Sequence, residues 1–263
     1  YCQVTQYGYE YEEDEKITLQ THTKGTGIDV IFFGDGYDGE AHSKGEFLNL
    51  VKEQVEYFFG VEPYKSHRSY FNVYAVVSLS QEAGVNTLNT YRDTYFGTIY
   101  AGSEKQLMPD AGLVINYVQN IFPKTNLSQS QLILVPNTTE YGGCTTIMSD
   151  GTPISICPRS MANFPQDTRG VIQHEACGHG FGKLGDERVC INRFIPMRVE
   201  SEIRRNHEQG WCQNLSVTSK MSEVPWADFI CDPRYSNEVD VFEGGALYTR
   251  GIYRCEVNSC MNY

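Results

Sequence analysis

The chain has 263 residues, 40% hydrophobic and 13% aromatic, ample for a buried core in one domain or in one domain cut by a cleft. Its formal net charge of −12 sets it against phosphate backbones, and so against nucleic acid as a partner. No apolar run approaches the ~20 residues that cross a bilayer, so no membrane span is expected.

The opening YCQVTQYGYEYEEDEK reads as the start of a mature or trimmed chain. IDVIFFG, ended by Gly34-Asp35-Gly36, reads as a buried strand and a turn. Phe47, Leu50, Val51, Gln54, Val55 and Phe58 then recur at the three- and four-residue steps of an amphipathic helix backing a sheet. YFNVYAVVSL, rich in β-branched and aromatic residues, predicts a second strand. Ala111, Val114, Ile115, Val118 and Ile121 mark another helix, followed by the strand QLILVP. TPISICP, Thr152 to Pro158, has prolines on both sides and predicts an edge strand, where an extended peptide could pair, with Gly142 and Gly143 shaping its approach.

Asp167 and Thr168 offer an N-cap to a helix carrying His174, Glu175 and His179. Beyond Gly182 and Gly185 the pattern turns irregular, with one charged helix candidate in VESEIRRNHEQ, and predicts a loop-rich region. One unit is expected over 1–263, with an upper lobe to about 182 and a lower lobe from about 183. Six of the nine cysteines, Cys177, Cys190, Cys212, Cys231, Cys255 and Cys260, lie in the last third, which suits an oxidising compartment and some disulfides. Outside the helix, His22, His42, His67 and His207 read as solvated surface.

The chemistry centres on VIQHEACGHGFGKLGDE. In an α-helix five residues turn through about 500°, leaving His179 about 140° from His174 and unable to share a metal with it. A single π-type turn brings residues five apart onto one face, and Gly178 and Gly180 would ease it. The two imidazoles could then hold a divalent ion, with Glu175 placed to take a proton from a metal-activated water. Gly182 allows a sharp turn, after which Asp186 or Glu187 could complete the site. Cys177 faces elsewhere and reads as core.

HEAC followed by GHGFGKLGDE resembles the active-site segment of the M64 metallopeptidases, the IgA peptidase family. GIDVIFFGDGYD, SYFNVYAVVSLSQEAGV, VPWADF, EVDVFEGGALY and GIYRCEVNSCMNY are similar to this family too. The extra residue between the histidines resembles a branch from gut Bacteroidetes reading His-Glu-Ala-Gly-Gly-His, with Cys177 here in place of a glycine. The resemblance implies zinc on His174 and His179, a catalytic Glu175, and a metzincin-like α/β fold: a twisted mixed sheet, a backing helix, an active-site helix and a methionine turn in the lower lobe. NSCMNY resembles that turn, making Met261 its methionine and Tyr263 a candidate for the oxyanion or a switch. Metzincins place their third ligand six residues after the second histidine. Here Asp186 comes seven after and Glu187 eight after; the shorter side chain nearer the glycine turn favours Asp186, with the other carboxylate hydrogen-bonding a histidine.

These residues imply a zinc-dependent endopeptidase acting on proteins or peptides, expected as a monomer in the bacterial periplasm, on the cell surface or secreted. The alternative is a zincin-fold module that binds host protein or glycan without cleaving it, against which the intact His174, Glu175 and His179 argue. The sequence also lacks a convincing Gly-x-Ser-x-Gly elbow for a serine hydrolase.

Overall fold

A segment as continuously apolar as IDVIFFG is stable only where both faces of a sheet are covered. The computed structural model describes residues 11–101, 106–140, 142–159 and 168–262. Two units are distinguished, Tyr1–Phe181 and Gly182–Tyr263.

In the first unit, β1 (Lys16–Gln20) precedes β2 (Ile28–Asp35), α1 (Gly39–Ser43), α2 (Glu46–Phe58), α3 (Tyr64–His67) and β3 (Phe71–Val76). Three two-residue strands follow, β4 (Asn86–Thr87), β5 (Ile99–Tyr100) and β6 (Leu107–Met108), then α4 (Ala111–Ile121), β7 (Gln131–Pro136), β8 (Cys144–Ile147), β9 (Pro153–Ile156), α5 (Thr168–Val171) and a π-helix at Ile172–Phe181. The main sheet runs β1-β3-β2-β7-β9-β8. β3, β2, β7 and β9 are mutually parallel, and antiparallel β1 and β8 form its two edges.

The alternation of side chains along β2 divides the core. Val30 and Phe32 pack with Val51, Val55 and Phe58 of α2 and with Ile172, Ala176 and Cys177 of the π-helix. Ile31 and Phe33 pack on the opposite face with Val114 and Val118 of α4. Helices therefore cover both faces, and each fully buried phenylalanine contributes about 1.5–3 kcal/mol of transfer free energy. Both predicted helices stand where the periodicity placed them.

Two expectations are overturned here. Pro153–Ile156 is not an edge strand: β7 pairs with it on one side and β8 on the other. The edge belongs to Cys144–Ile147, a four-residue CTTI segment too short and too polar to register as a strand in the sequence. His42 is not on the surface. It is 3% exposed, enclosed by the rings of Tyr37 and Phe47, with Nε2 3.3 Å from the Ser78 carbonyl oxygen. Of the other histidines, His67 is exposed, whereas His22 and His207 are half-buried.

The second unit contains β10 (Val189–Phe194), α6 (Met197–Glu208), β11 (Leu215–Ser216), β12 (Phe242–Gly245) and β13 (Leu247–Arg254). β13 lies between β10 and β11 and also pairs with β12, so this region holds a sheet where a loop-rich segment was expected. Ile203 of α6 packs with Leu215, Tyr248 and Ile252 in its core. His207 Nε2 lies 3.2 Å from the Cys212 carbonyl oxygen and 3.0 Å from that of Leu215. No disulfide forms among the eight described cysteines, where some were expected; Cys157 and Cys177 are buried in the apolar core.

Burial pushes the pKa of His42 from 6.5 down to about 4, against the opposing effects of the Ser78 carbonyl and Asp38. The unfolded chain therefore binds the extra proton at higher pH than the folded chain does. The contribution of neutral His42 is fully present above about pH 6.5 and lost as pH falls to about 4, a difference of ~3 kcal/mol for a shift of this size. Urea unfolding across that window should show the loss, and His42→Phe should flatten it.

Candidate metal centre

The helix that carries both histidines begins with one α-helical turn, Thr168–Val171, and then winds as a π-helix through Ile172–Phe181. The stretch covers ten residues rather than the single expected turn. With i→i+5 hydrogen bonding, a residue lies above the one five before it. His174 and His179 consequently meet, their Nε2 atoms 3.1 Å apart and their ring planes at 89°. Two nitrogens bound tetrahedrally to one zinc ion at ~2.05 Å stand about 3.3 Å apart, so the pair suits a shared metal.

Contacts from the first unit hold the wide helix. Gly180 lies so close to the sheet that an added Cβ would stand 2.4 Å from Gln131 Oε1 and 2.7 Å from Ser155 Oγ. Ser155 Oγ donates to the Glu175 carbonyl oxygen at 3.1 Å, and Gln131 Nε2 donates to Ser155 Oγ at 3.0 Å. Tyr64 Oη donates to the Cys177 carbonyl oxygen at 2.6 Å. Gln173 Nε2 donates to the Tyr57 carbonyl oxygen at 3.0 Å, tying the helix to the end of α2. The Cys177 thiol, 2% exposed, turns to the Phe58 carbonyl and packs in the core as expected.

Glu175 is 8% exposed and projects toward the edge strand. Thr145 Oγ1, on β8, lies 3.0 Å from Glu175 Oε2 and 2.9 Å from its carbonyl oxygen. Gly143 covers the same side chain: a Cβ there would stand 3.2 Å from Glu175 Cγ and 2.8 Å from Val171 Cγ1. Thr145 was missed in the sequence because β8 itself was. Burial, reinforced by the charge of Glu175, pushes the Cys144 thiol up to about 12, so this cysteine stays protonated.

Asp186, Glu187 and Met261 lie in the second unit. Glu187 is 1% exposed and fully engaged: Asn214 Nδ2 donates to its Oε1 at 2.8 Å, Ser259 Oγ donates to its Oε2 at 2.6 Å, and the Cys255 thiol lies 3.8 Å from Oε1. Burial pushes its carboxyl up, and the hydrogen bonds from Ser259 and Asn214 pull against that. Its backbone N–H donates to the Met261 carbonyl oxygen at 2.8 Å, and Met261 is buried in a short 3₁₀ turn, Cys260–Asn262. Asp186 is half-buried, and its carbonyl oxygen accepts from Ala246 N at 2.8 Å. Asn214 also brackets Gly185, accepting from its N–H and donating to its carbonyl, both at 2.8 Å. The sequence reading missed Asn214. Tyr263 and Asp167 lie outside the described residues.

The first unit is a mixed α/β sheet that presents a paired-histidine helix beside a buried glutamate. Residues 17–235 match the family described as IgA Peptidase M64, and the chain belongs to that family of metallopeptidases. Its class of substrate is thus protein or peptide. No curated protein matches the chain. Among the described residues no helix is long and apolar enough to cross a membrane.

Since a Cβ at position 180 has no room, Gly180→Ala should destabilise the protein by about 1–3 kcal/mol in urea unfolding. It should also loosen the histidine pair, read as weaker retention of metal against a chelator.

Proposed function

We propose that this protein is a zinc-dependent endopeptidase of zincin and metzincin type, with Glu175 as general base and His174, His179 and Asp186 as metal ligands. The observation that carries the reading is the 3.1 Å approach of the two histidine Nε2 atoms beside a carboxylate oriented by Thr145. Two imidazoles and a carboxylate are a donor set able to hold a divalent ion. Zinc held there would polarise a scissile carbonyl and acidify the attacking water. Glu175 receives the proton from that water and delivers it to the leaving amine. Thr145 holds one carboxylate oxygen while its buried setting limits competing solvent.

The choice of Asp186 over Glu187 is supported by what Glu187 already does. Its carboxylate is spent on Asn214 and Ser259 inside the second unit, and adjacent residues in extended chain point to opposite sides. Met261 serves as the methionine of the turn, joined through its carbonyl to the residue after the proposed ligand. The substrate pairs with β8, whose side away from β9 has no partner strand in the main sheet among the described residues. The protein acts as a monomer in the bacterial periplasm, at the cell surface or outside the cell.

Glu175→Gln should keep one zinc per chain by elemental analysis while lowering the rate of peptide hydrolysis ~10²-fold or more. Turnover at the unaltered rate with full zinc content would assign the base elsewhere. Asp186→Ala should weaken zinc at least ~10-fold in chelator competition. Glu187→Ala should retain zinc but lower stability by about 1–3 kcal/mol, because buried Asn214 and Ser259 lose their acceptor. Reversal of these two outcomes would exchange the ligand assignment.

A further inference from the structure

The loop between β4 and β5 builds a second concave surface in the first unit, with a cavity volume of about 530 Å³. That lies within the roughly 300–1,000 Å³ of small-molecule sites. Its walls include Asn86, Asn89, Thr90, Tyr91, Arg92 and Gly97. Hydrogen bonds preform it. Thr87 N donates to the Thr90 carbonyl oxygen at 2.9 Å, and Asn86 Oδ1 accepts from Arg92 N at 2.7 Å. Beneath, the wholly buried carboxylate of Asp35 accepts from Phe96 N at 2.9 Å and Thr98 N at 2.8 Å, anchoring the far side of the loop to the end of β2.

Three features of this surface are unexplained by the fold. Arg92 is half-buried and lies over Gly84, where a Cβ would stand 3.2 Å from its Nε. Among the described residues it has no carboxylate partner, in a chain with an excess of acidic groups. Tyr91 and Leu88 are 82% and 70% exposed, an apolar platform at the rim. Gly97, at φ +61°, faces open space, with nothing within 4 Å of where its Cβ would be.

We infer that this pocket binds a carboxylate-bearing sugar, with the carboxylate on Arg92, the ring against Tyr91 and the hydroxyls on the neutral amide and hydroxyl groups. A guanidinium with no carboxylate partner among the described residues selects a carboxylate, which it can hold by two parallel hydrogen bonds. The other polar walls are uncharged and offer donors and acceptors together, as hydroxyls require and a polyanionic peptide does not. An exposed aromatic face beside them suits the C–H face of a pyranose. The location ties the pocket to the substrate path: Leu107 N of β6 donates to the Gly142 carbonyl oxygen at 3.1 Å, and the Cys144 thiol lies 3.1 Å from the Leu107 carbonyl oxygen. The pocket begins at β4, two strand spacings or about 10 Å from β6 across the small sheet. An acidic glycan on a protein lying along β8 could thus engage it. The binding site itself stands apart from the proposed peptidase chemistry.

Titration of the whole chain with 3′-sialyllactose, lactose and succinate, followed by ligand-observed NMR, tests this without any reading of hydrolysis. The sialylated sugar should bind, with lactose and succinate at least tenfold weaker. Arg92→Gln and Gly97→Asn should each reduce its affinity at least tenfold with unchanged thermal unfolding; asparagine tolerates the left-handed backbone and fills the open space. No binding of 3′-sialyllactose, equal binding of lactose or succinate, or unchanged affinity in the well-folded variants would overturn the assignment. Cleavage of an unglycosylated peptide at the wild-type rate by both variants would accompany the expected result.

Discussion

The site depends on how one helix is wound. An α-helix through Ile172–Phe181 would send His174 and His179 in different directions; the π-helix brings their Nε2 atoms to 3.1 Å. A ten-residue π stretch is uncommon because its hydrogen-bonded ring is wide, and here the surroundings hold it open. Ser155 and Tyr64 occupy carbonyls along its length, and Gly180 lets the backbone settle onto Gln131 and Ser155. The sheet therefore shapes the helix that carries the paired histidines.

Buried carboxylates organise the rest of the structure. Asp35 ends the central strand of the first unit and accepts backbone N–H groups from Phe96 and Thr98. Glu187 collects Asn214 and Ser259 in the second unit and is joined through its own N–H to Met261. A charged acceptor with several donors forms stronger hydrogen bonds than neutral pairs do, and its removal leaves those donors buried without partners. One such carboxylate ends the strand from which the loop of the proposed sugar site is anchored. The other stands immediately after the proposed metal ligand.

Elements with strong periodicity were legible in the sequence. α2 and α4 each bury one stripe, and β2 and β7 are covered on both faces, so their apolar patterns are complete without knowledge of their neighbours. The misses have physical causes. Proline at both ends made Pro153–Ile156 resemble an edge, yet Pro153 begins its strand, where it interrupts little of the ladder. In the second unit, Gly244, Gly245 and Gly251 and the left-handed Ala246 and Leu247 break the alternation that marks strands. His42 looked like surface because its own short helix is polar, and the aromatic rings that enclose it include Phe47 from the next helix.

By itself the sequence determined the chemical inventory: two histidines five apart, a glutamate beside the first, glycines that permit an unusual winding, and an acidic pair beyond them. It also determined the family, through motifs distributed along most of the chain. Only the tertiary structure decided which strand is the edge, that Thr145 orients Glu175, and that Glu187 is committed to Asn214 and Ser259. Those facts concern partners 27 to 72 residues away in the chain. Spacing encodes what one helix or strand can present; it does not encode which distant hydroxyl or amide will be there to meet it.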